Sequence, residues 1–310
     1  VTRIAENAGA VVMRVRGLTV EGEVVEFGNA ALDAPGYDLL ALVNGSEGLL
    51  AMITEVTVRL TPKPELAQVV IASFADVGKA GDAVASIIAA GIIPAGLEMM
   101  DRKAIHAVEP YVNAGYDMDA EGILLCESDG TPEEVAEEIG RMVAVLENSG
   151  ASGIRVSQNE SERLRFWAGR KAAFPAVGRM TPDYLCMDGT IPRKRLAEML
   201  QAIARLSAKY GLRCANVFHA GDGNLHPLIM YDANQPGELN RAAAFGAEIL
   251  ELSVRFGGTI TGEHGVGIEK IMLMAEQFTE AEIAAFHRLK AAFDEHELLN
   301  PGKGVPTLAR

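Results

Sequence analysis

The chain has 310 residues, 49% hydrophobic and 23% charged, a globular composition that suits two compact domains and excludes a fibrous or disordered chain. Its 42 acidic and 28 basic side chains leave a net charge of −14, which argues against a nucleic-acid binder and against docking on an anionic bilayer by charge alone. Cys126, Cys186 and Cys214 are odd in number and show no CxxC spacing, so a reducing compartment is expected rather than a disulfide framework or zinc ribbon.

Val1 stands where a start methionine would, and Val1–Gly9 carries no helix-start signal, so the chain reads as a piece of a longer protein. Apolar–polar alternation on both sides of Glu21-Gly22 predicts a hairpin over 18–28. A Gly45-Ser-Glu-Gly48 turn then precedes an alternating strand from Ile53 to Leu60. Pro62 and Pro64 stop that strand and set the first domain boundary. Beyond it, strands interleave with amphipathic helices. Strands are predicted over 68–74, 95–100, 122–128, 153–157 and 184–191, and helices over 77–90, 132–147, 160–174 and 193–209. Thr131 with Glu134 forms a capping-box pattern, and Gly211 closes the last of these helices. A helix over 239–256, a short strand over 259–261 and a helix from Thr279 to about Asp294 follow, before Pro301 and Gly302 forbid continuation. Such repeated β-α-β exchange predicts an α+β fold with ferredoxin-like packing. The longest charge-free stretch, Ala83 to Leu97, is broken by Gly91 and Pro94 and is too short to span a membrane; no signal peptide is evident.

The densest chemical signal is Asn216-Val-Phe-His-Ala-Gly-Asp-Gly-Asn-Leu-His-Pro227. A two-residue turn centred on Asp222-Gly223 would pair His219 with His226, with Cβ atoms roughly 4.5–5.5 Å apart on one face. Either histidine alone reads as an ordinary hydrogen-bonded residue. Two of them about one glycine-rich turn read as a shared divalent-metal site. Thr261-Gly-Glu-His-Gly-Val-Gly267 adds Glu263 as a third ligand and His264 beside it as a general base. Arg170, close to the single tryptophan Trp167, is a candidate fork for a carboxylate, weighed against the solvated helix face that such an arginine usually is. No GxGxxG or GxxxxGK pattern is present, which disfavours nicotinamide and ATP; the Gly45–Gly48 turn can still present backbone amides to another cofactor.

These motifs, together with Ala31–Leu40, Gly45–Leu60, Gly96-Leu-Glu-Met-Met-Asp101, Arg165–Lys171 and Leu298–Lys303, resemble the FAD-linked 2-hydroxy acid oxidases of the vanillyl-alcohol-oxidase superfamily. The resemblance runs over essentially the whole chain and is greatest to glycolate oxidases, with FAD-dependent D-lactate dehydrogenases close behind. It implies the C-terminal half of an FAD-binding domain over 1–65, without its pyrophosphate-binding half. An α+β ferredoxin-like substrate cap with an antiparallel sheet would cover 66–285, and a tail over 286–310 would return to the flavin domain. It also implies a divalent metal (Zn, Mn, Fe or Co) on His219, His226 and Glu263, His264 as the base, Arg170 on the substrate carboxylate, and Glu47, Gly48, Ile53 and Asn300 near the FAD. The implied reaction is oxidation of a small 2-hydroxy acid, glycolate or D-lactate, by hydride transfer to flavin. Hydroxyglutarate-oxidising relatives carry an asparagine where Leu228 stands and a lysine near Cys186, so a small monocarboxylate is expected. The implied partners are a second flavin-domain subunit and an iron–sulfur subunit, through which a cytoplasmic chain would associate with a membrane. A flavin-free metal hydrolase and a non-catalytic metal-binding fragment are the competing readings. The hydrolase would not account for the Gly45–Gly48 turn and its strand or the Asn300-Pro-Gly-Lys303 tail, and the missing pyrophosphate loop is the argument for the fragment.

Overall fold

The computed structural model describes residues 12–30 and 36–306; the Val1–Gly9 segment and residues 31–35 of the Ala31–Leu40 motif lie outside the described residues. The chain divides into two compact units, one made of residues 1–62 with 260–310 and the other of residues 63–259.

In the first unit, β1 (Val12–Leu18) and β2 (Val24–Gly28) form the expected hairpin, with Leu18 opposite Val24 and the turn centred on Glu21. A short helix α1 (Leu39–Val43), capped by Asp38, leads into β3 (Met52–Val58), which pairs antiparallel with β1 to give the order β2-β1-β3.

The second unit is built on a seven-stranded sheet. Its strands are β4 (Leu66–Phe74), β5 (Gly96–Asp101), β6 (Gly122–Gly130), β7 (Gly153–Val156), β8 (Asp183–Cys186), β10 (Cys214–Phe218) and β12 (Pro227–Tyr231), in the order β7-β4-β6-β5-β10-β12-β8 with every neighbour antiparallel. The first four strands carry the ferredoxin-like arrangement, in which helices α2 (Val77–Ala89) and α4 (Pro132–Asn148) make the crossovers. Between β5 and β6 lies α3 (Arg102–Val112), a helix absent from the sequence reading, with Pro110 within its last turn. The predicted helix over 160–174 is two helices, α5 (Glu160–Lys171) and α6 (Ala173–Val177). The predicted strand over 184–191 is likewise split into β8 and a two-residue β9 (Gly189–Thr190), which pairs with β11 (Asn224–Leu225). Only an isolated bridge from Thr259 to Thr190 forms where a strand over 259–261 was expected.

Helices α7 (Leu196–Tyr210) and α8 (Glu238–Arg255) complete this unit, α7 ending at Gly211 with φ of 63°, a backbone that glycine adopts without steric cost. Alternation along each strand divides the sheet into two faces. Val69, Ile71, Met100, Ile123, Leu125, Ala215 and Val217 form one core with α3, α5 and α6. Helices α2, α4, α7 and α8 pack as a second layer. No helix among the described residues is long and apolar enough to cross a membrane, and none of the three cysteines is in a disulfide.

The first unit closes with α9 (Glu280–Phe293), started by a Thr279–Glu282 capping box. At its end Asp294 pairs with Lys290 and accepts from the Leu298 and Leu299 N–H groups at 3.0 and 2.7 Å, while Lys290 Nζ also donates to the carbonyls of Leu49 and Leu299 at 2.8 Å each. Both side chains are nearly inaccessible. Burial alone would raise the Asp294 carboxyl, but the Lys290 contact and the two backbone donors outweigh it and hold the group at about 2, against an ordinary 3.8. A depressed carboxyl stabilises the fold above its unfolded value, so this contribution is complete above 3.8 and is lost as pH falls through about 2. Asp294→Asn is expected to destabilise the chain by about 3 kcal/mol near neutral pH, the low end for removing one partner of a buried pair. Urea unfolding of both forms at about pH 7 and about pH 2.5 should show that difference shrinking in acid.

Candidate functional site

In the second unit the chemistry gathers where β5 and β10 adjoin at the centre of the sheet. Glu98 alternates with Met99 along β5 and so shares the face of Met100, toward α5. Arg170, near the C-terminal end of α5, donates from Nε to Glu98 Oε2 at 2.9 Å. His219, one residue beyond β10, places Nδ1 2.8 Å from Glu98 Oε1 and 3.5 Å from Arg170 Nη2. Glu98 and Arg170 are 5% and 8% exposed, which marks this as a buried network rather than the solvated helix face weighed for Arg170. Burial would raise the Glu98 carboxyl; the His219 hydrogen bond and the Arg170 guanidinium outweigh it and hold the group below the ordinary carboxylate value.

Helix α5 is docked by contacts of its own. Trp167 lies over Gly96, where a Cβ would come 3.2 Å from the indole, and its Nε1 donates to Glu127 at 2.6 Å. Arg163 donates to the same Glu127 carboxylate at 2.7 Å. At Gly169 the helix meets Tyr116 so closely that any side chain would collide with its ring, and Tyr116 in turn donates its hydroxyl to the Phe166 carbonyl.

The histidine turn departs from its predicted register. Asn216 pairs with Pro227 and His219 with Asn224, while the Val217 N–H donates to the His226 carbonyl at 3.3 Å, so His226 lies opposite Val217 and not opposite His219. The turn is set by its neighbours rather than by the Asp-Gly preference for a two-residue loop. The Gly221 N–H donates to the Leu97 carbonyl at 2.9 Å, and Ile191 N–H donates to the Gly223 carbonyl at 2.9 Å. Gly223, with φ of 77°, leaves no room for a Cβ beside the Ile191 carbonyl. Since residues 217 and 219 point to the same side, the shift turns a direct pair into a diagonal one. The two imidazoles still meet, with ring centroids 5.0 Å apart and planes at 80°.

Asp188, fully buried after β8, brings a carboxylate oxygen 3.6 Å from His226 Nε2. Asn224, on the same turn, is 1% exposed, and neither atom of its side-chain amide has a hydrogen-bond partner among the described residues. A bound ligand, ion or water satisfies an amide in that position. Two imidazoles with a buried carboxylate are donor chemistry suited to a divalent transition metal, so the residues of this unit fit the implied ion. Neither Glu98 nor Asp188 was singled out from the sequence as a site residue. Glu98 lay inside the Gly96–Asp101 motif, whereas Asp188 carried no local signal.

The remaining candidates belong to the first unit. Glu263 and His264 are neighbours, with His264 Nε2 3.8 Å from a Glu263 carboxylate oxygen and the imidazole side chain 43% exposed. Their loop is tied down by Glu47, whose carboxylate accepts from the Val266 and Gly267 N–H groups at 2.7 and 2.8 Å and packs where a Cβ on Gly265 would stand. Glu47 itself has a left-handed backbone, φ of 53°, and Gly48 follows with φ of 70°. The Asn300 amide donates to the Gly48 carbonyl at 3.0 Å, and the Gly304 N–H donates to the Gly267 carbonyl at 2.8 Å. The turn, the Glu263–His264 loop and the Asn300 tail are therefore one assembly. Beside them in sequence, β3 is exposed along its entire length, with Met52, Ile53, Val56 and Val58 all uncovered.

Residues 63–304 match the family described as FAD linked oxidases, C-terminal domain. The chain is 58% identical to the glycolate oxidase subunit GlcD of Escherichia coli K12 over 99% of its own length and 64% of that protein's. It is 28% identical to the mitochondrial D-lactate dehydrogenase [cytochrome] of Arabidopsis thaliana, over 95% of this chain and 52% of that one. The chain thus spans less than two thirds of the length of these curated relatives. Among solved structures, p-cresol methylhydroxylase with substrate bound superposes with a TM-score of 0.77 at 16% identity, covering 96% of this chain and 65% of that one, a likeness of fold. An antiparallel α+β unit with its histidine turn, joined to a unit carrying the Glu263–His264 loop, in a chain so matched, belongs to the FAD-linked oxidases, of which residues 63–304 are the C-terminal domain.

Proposed function

We propose that the protein containing this chain oxidises a small 2-hydroxy acid, glycolate in the first instance, with FAD as electron acceptor and a divalent metal at the substrate. The observation that carries the proposal is the cluster in residues 63–259, where His219 and His226 meet and Arg170 is held within the same buried network. The 58% identity to a protein named for glycolate oxidation supports the substrate class. His219 and His226 would hold the metal. Glu263 as third ligand is proposed from its sequence motif. When bound, the metal supplies Lewis-acid polarisation of the substrate hydroxyl and the flavin supplies the hydride acceptor.

The chain's own residues do the rest. Arg170 receives the substrate carboxylate on its guanidinium fork and fixes its orientation; burial strengthens that ion pair by excluding water. His264 takes the hydroxyl proton on its imidazole as the carbon is oxidised, a role suited to a group whose ordinary pKa lies near neutrality. Cys186 and Leu228 lie directly opposite each other on β8 and β12 and form a pair with no charge to offer a second carboxylate, which supports a monocarboxylate substrate. Glu47, Gly48, Ile53 and Asn300 would lie along the flavin. The relative's name describes a subunit, which supports assembly with other subunits; a flavin-domain partner and an iron–sulfur partner would carry electrons onward, and any membrane association would come through them.

The test is anaerobic absorption spectroscopy of the purified protein before and after glycolate. Bleaching of a flavin band is expected; a flavin that stays oxidised with both glycolate and D-lactate would overturn the proposal. Arg170→Met is expected to raise KM for the 2-hydroxy acid at least tenfold, and an unchanged KM would remove Arg170 from the carboxylate site. His264→Ala is expected to lower kcat by about 10²–10⁴-fold while bound metal, measured by elemental analysis, stays near the wild-type ratio. Loss of metal instead would make His264 a ligand rather than the base.

A further inference from the structure

We propose that Glu98 is a positioning residue that registers the carboxylate-binding Arg170 to the metal-binding His219, an inference that rests on the roles given to those two residues above. One carboxylate serves two partners, with Oε1 2.8 Å from His219 Nδ1 and Oε2 2.9 Å from Arg170 Nε. A buried carboxylate needs a counter-charge and filled hydrogen bonds, and Arg170 alone supplies the charge. The imidazole is the partner that neutralisation does not require.

The chemistry of that second contact is directional. A carboxylate only accepts, so His219 presents Nδ1–H to Glu98 and carries its lone pair on Nε2. That tautomer is the one a metal ligand must hold, and an outer carboxylate on the far nitrogen is the arrangement that orients ligating histidines. On the other side, Glu98 engages Arg170 through Nε, and Nη2 stands 3.5 Å from His219 Nδ1, which leaves Nη1 and the second Nη2 hydrogen to face a substrate carboxylate. The two substrate-binding functions are thereby spaced by one rigid side chain on a central strand of the sheet. Helix α5 does not depend on Glu98 for its seat, because Trp167 and Arg163 are anchored separately on Glu127. Glu98→Gln should therefore change the registration while leaving the fold in place. Its amide NH₂ would donate toward Nδ1 and favour the opposite tautomer.

The experiment uses the full chain, stripped of metal, at about pH 8, where an imidazole of ordinary pKa is neutral. Nitrogen-15 NMR of the histidine rings, with His219 assigned from a His219→Asn variant, is expected to show the Nδ1–H tautomer in the wild type. The Glu98→Gln variant should shift toward Nε2–H. Zn²⁺ affinity, measured by competition with a chromophoric chelator, is expected to fall about 10- to 100-fold in Glu98→Gln, with Glu98→Asp no better because it is too short to reach both partners. A wild-type His219 in the Nε2–H form would overturn the inference without reference to any variant. So would a folded Glu98→Gln chain with unchanged tautomer and Zn²⁺ affinity within twofold of wild type. Failure of the wild-type chain to bind Zn²⁺ would instead overturn the metal reading, and the tautomer measurement would still decide what Glu98 does to His219.

Discussion

A buried carboxylate between two cationic or protonated partners is the constraint on which the polar cluster of residues 63–259 rests. Glu98 reaches the interior because β5 is a central strand, and it survives there because α5 delivers Arg170 and the end of β10 delivers His219. Each partner needs the fold to be complete before it can arrive. Remove the pairing of β5 with β10 and the histidine loses its acceptor; remove the Trp167–Glu127 anchor and the arginine loses its approach. The site and the sheet are therefore the same structural problem.

The first unit uses carboxylates in a comparable way, with backbone amides in place of side-chain cations. Glu47 gathers two N–H groups of the Glu263–His264 loop, and Asp294 gathers two from the Leu298–Leu299 segment while pairing with Lys290. Loops rich in glycine are costly to order, and a carboxylate that accepts two amide bonds at once offsets part of that cost. Asp294, 1% exposed, is thus part of the internal architecture, whereas Glu47 does the same work at the surface.

Much of this was legible in the amino-acid order. The capping box at Thr131, the helix start at Thr279, the closing Gly211 and the prolines after β3 act locally, within a few residues, so their signals survive without tertiary context. The break inside 160–174 was not legible. The 160–174 segment keeps helix-like composition throughout, whereas the break in 184–191 falls at Asp188-Gly189, a turn-type dipeptide inside an otherwise strand-like run. In α3, a proline in the last turn removes only one backbone bond and the buried Ala104, Ile105 and Val108 outweigh it. The short strand expected over 259–261 failed for want of a partner longer than the two residues of β9.

By itself the sequence determined the α+β class, the ferredoxin-like exchange of strands and helices, and the residue types of the site, because periodicity and turn chemistry are local properties. It also brought His219 and His226 to one face, since a period of two survives a diagonal shift. Tertiary structure alone decided the register of that turn, through the Leu97 carbonyl that receives Gly221 and the Ile191 segment that receives Gly223. It alone decided that Glu98 joins Arg170 to His219 and that Asp188 stands beside His226. Those contacts link residues far apart along the chain, and no local pattern encodes them. They exist only once the sheet has chosen its neighbours.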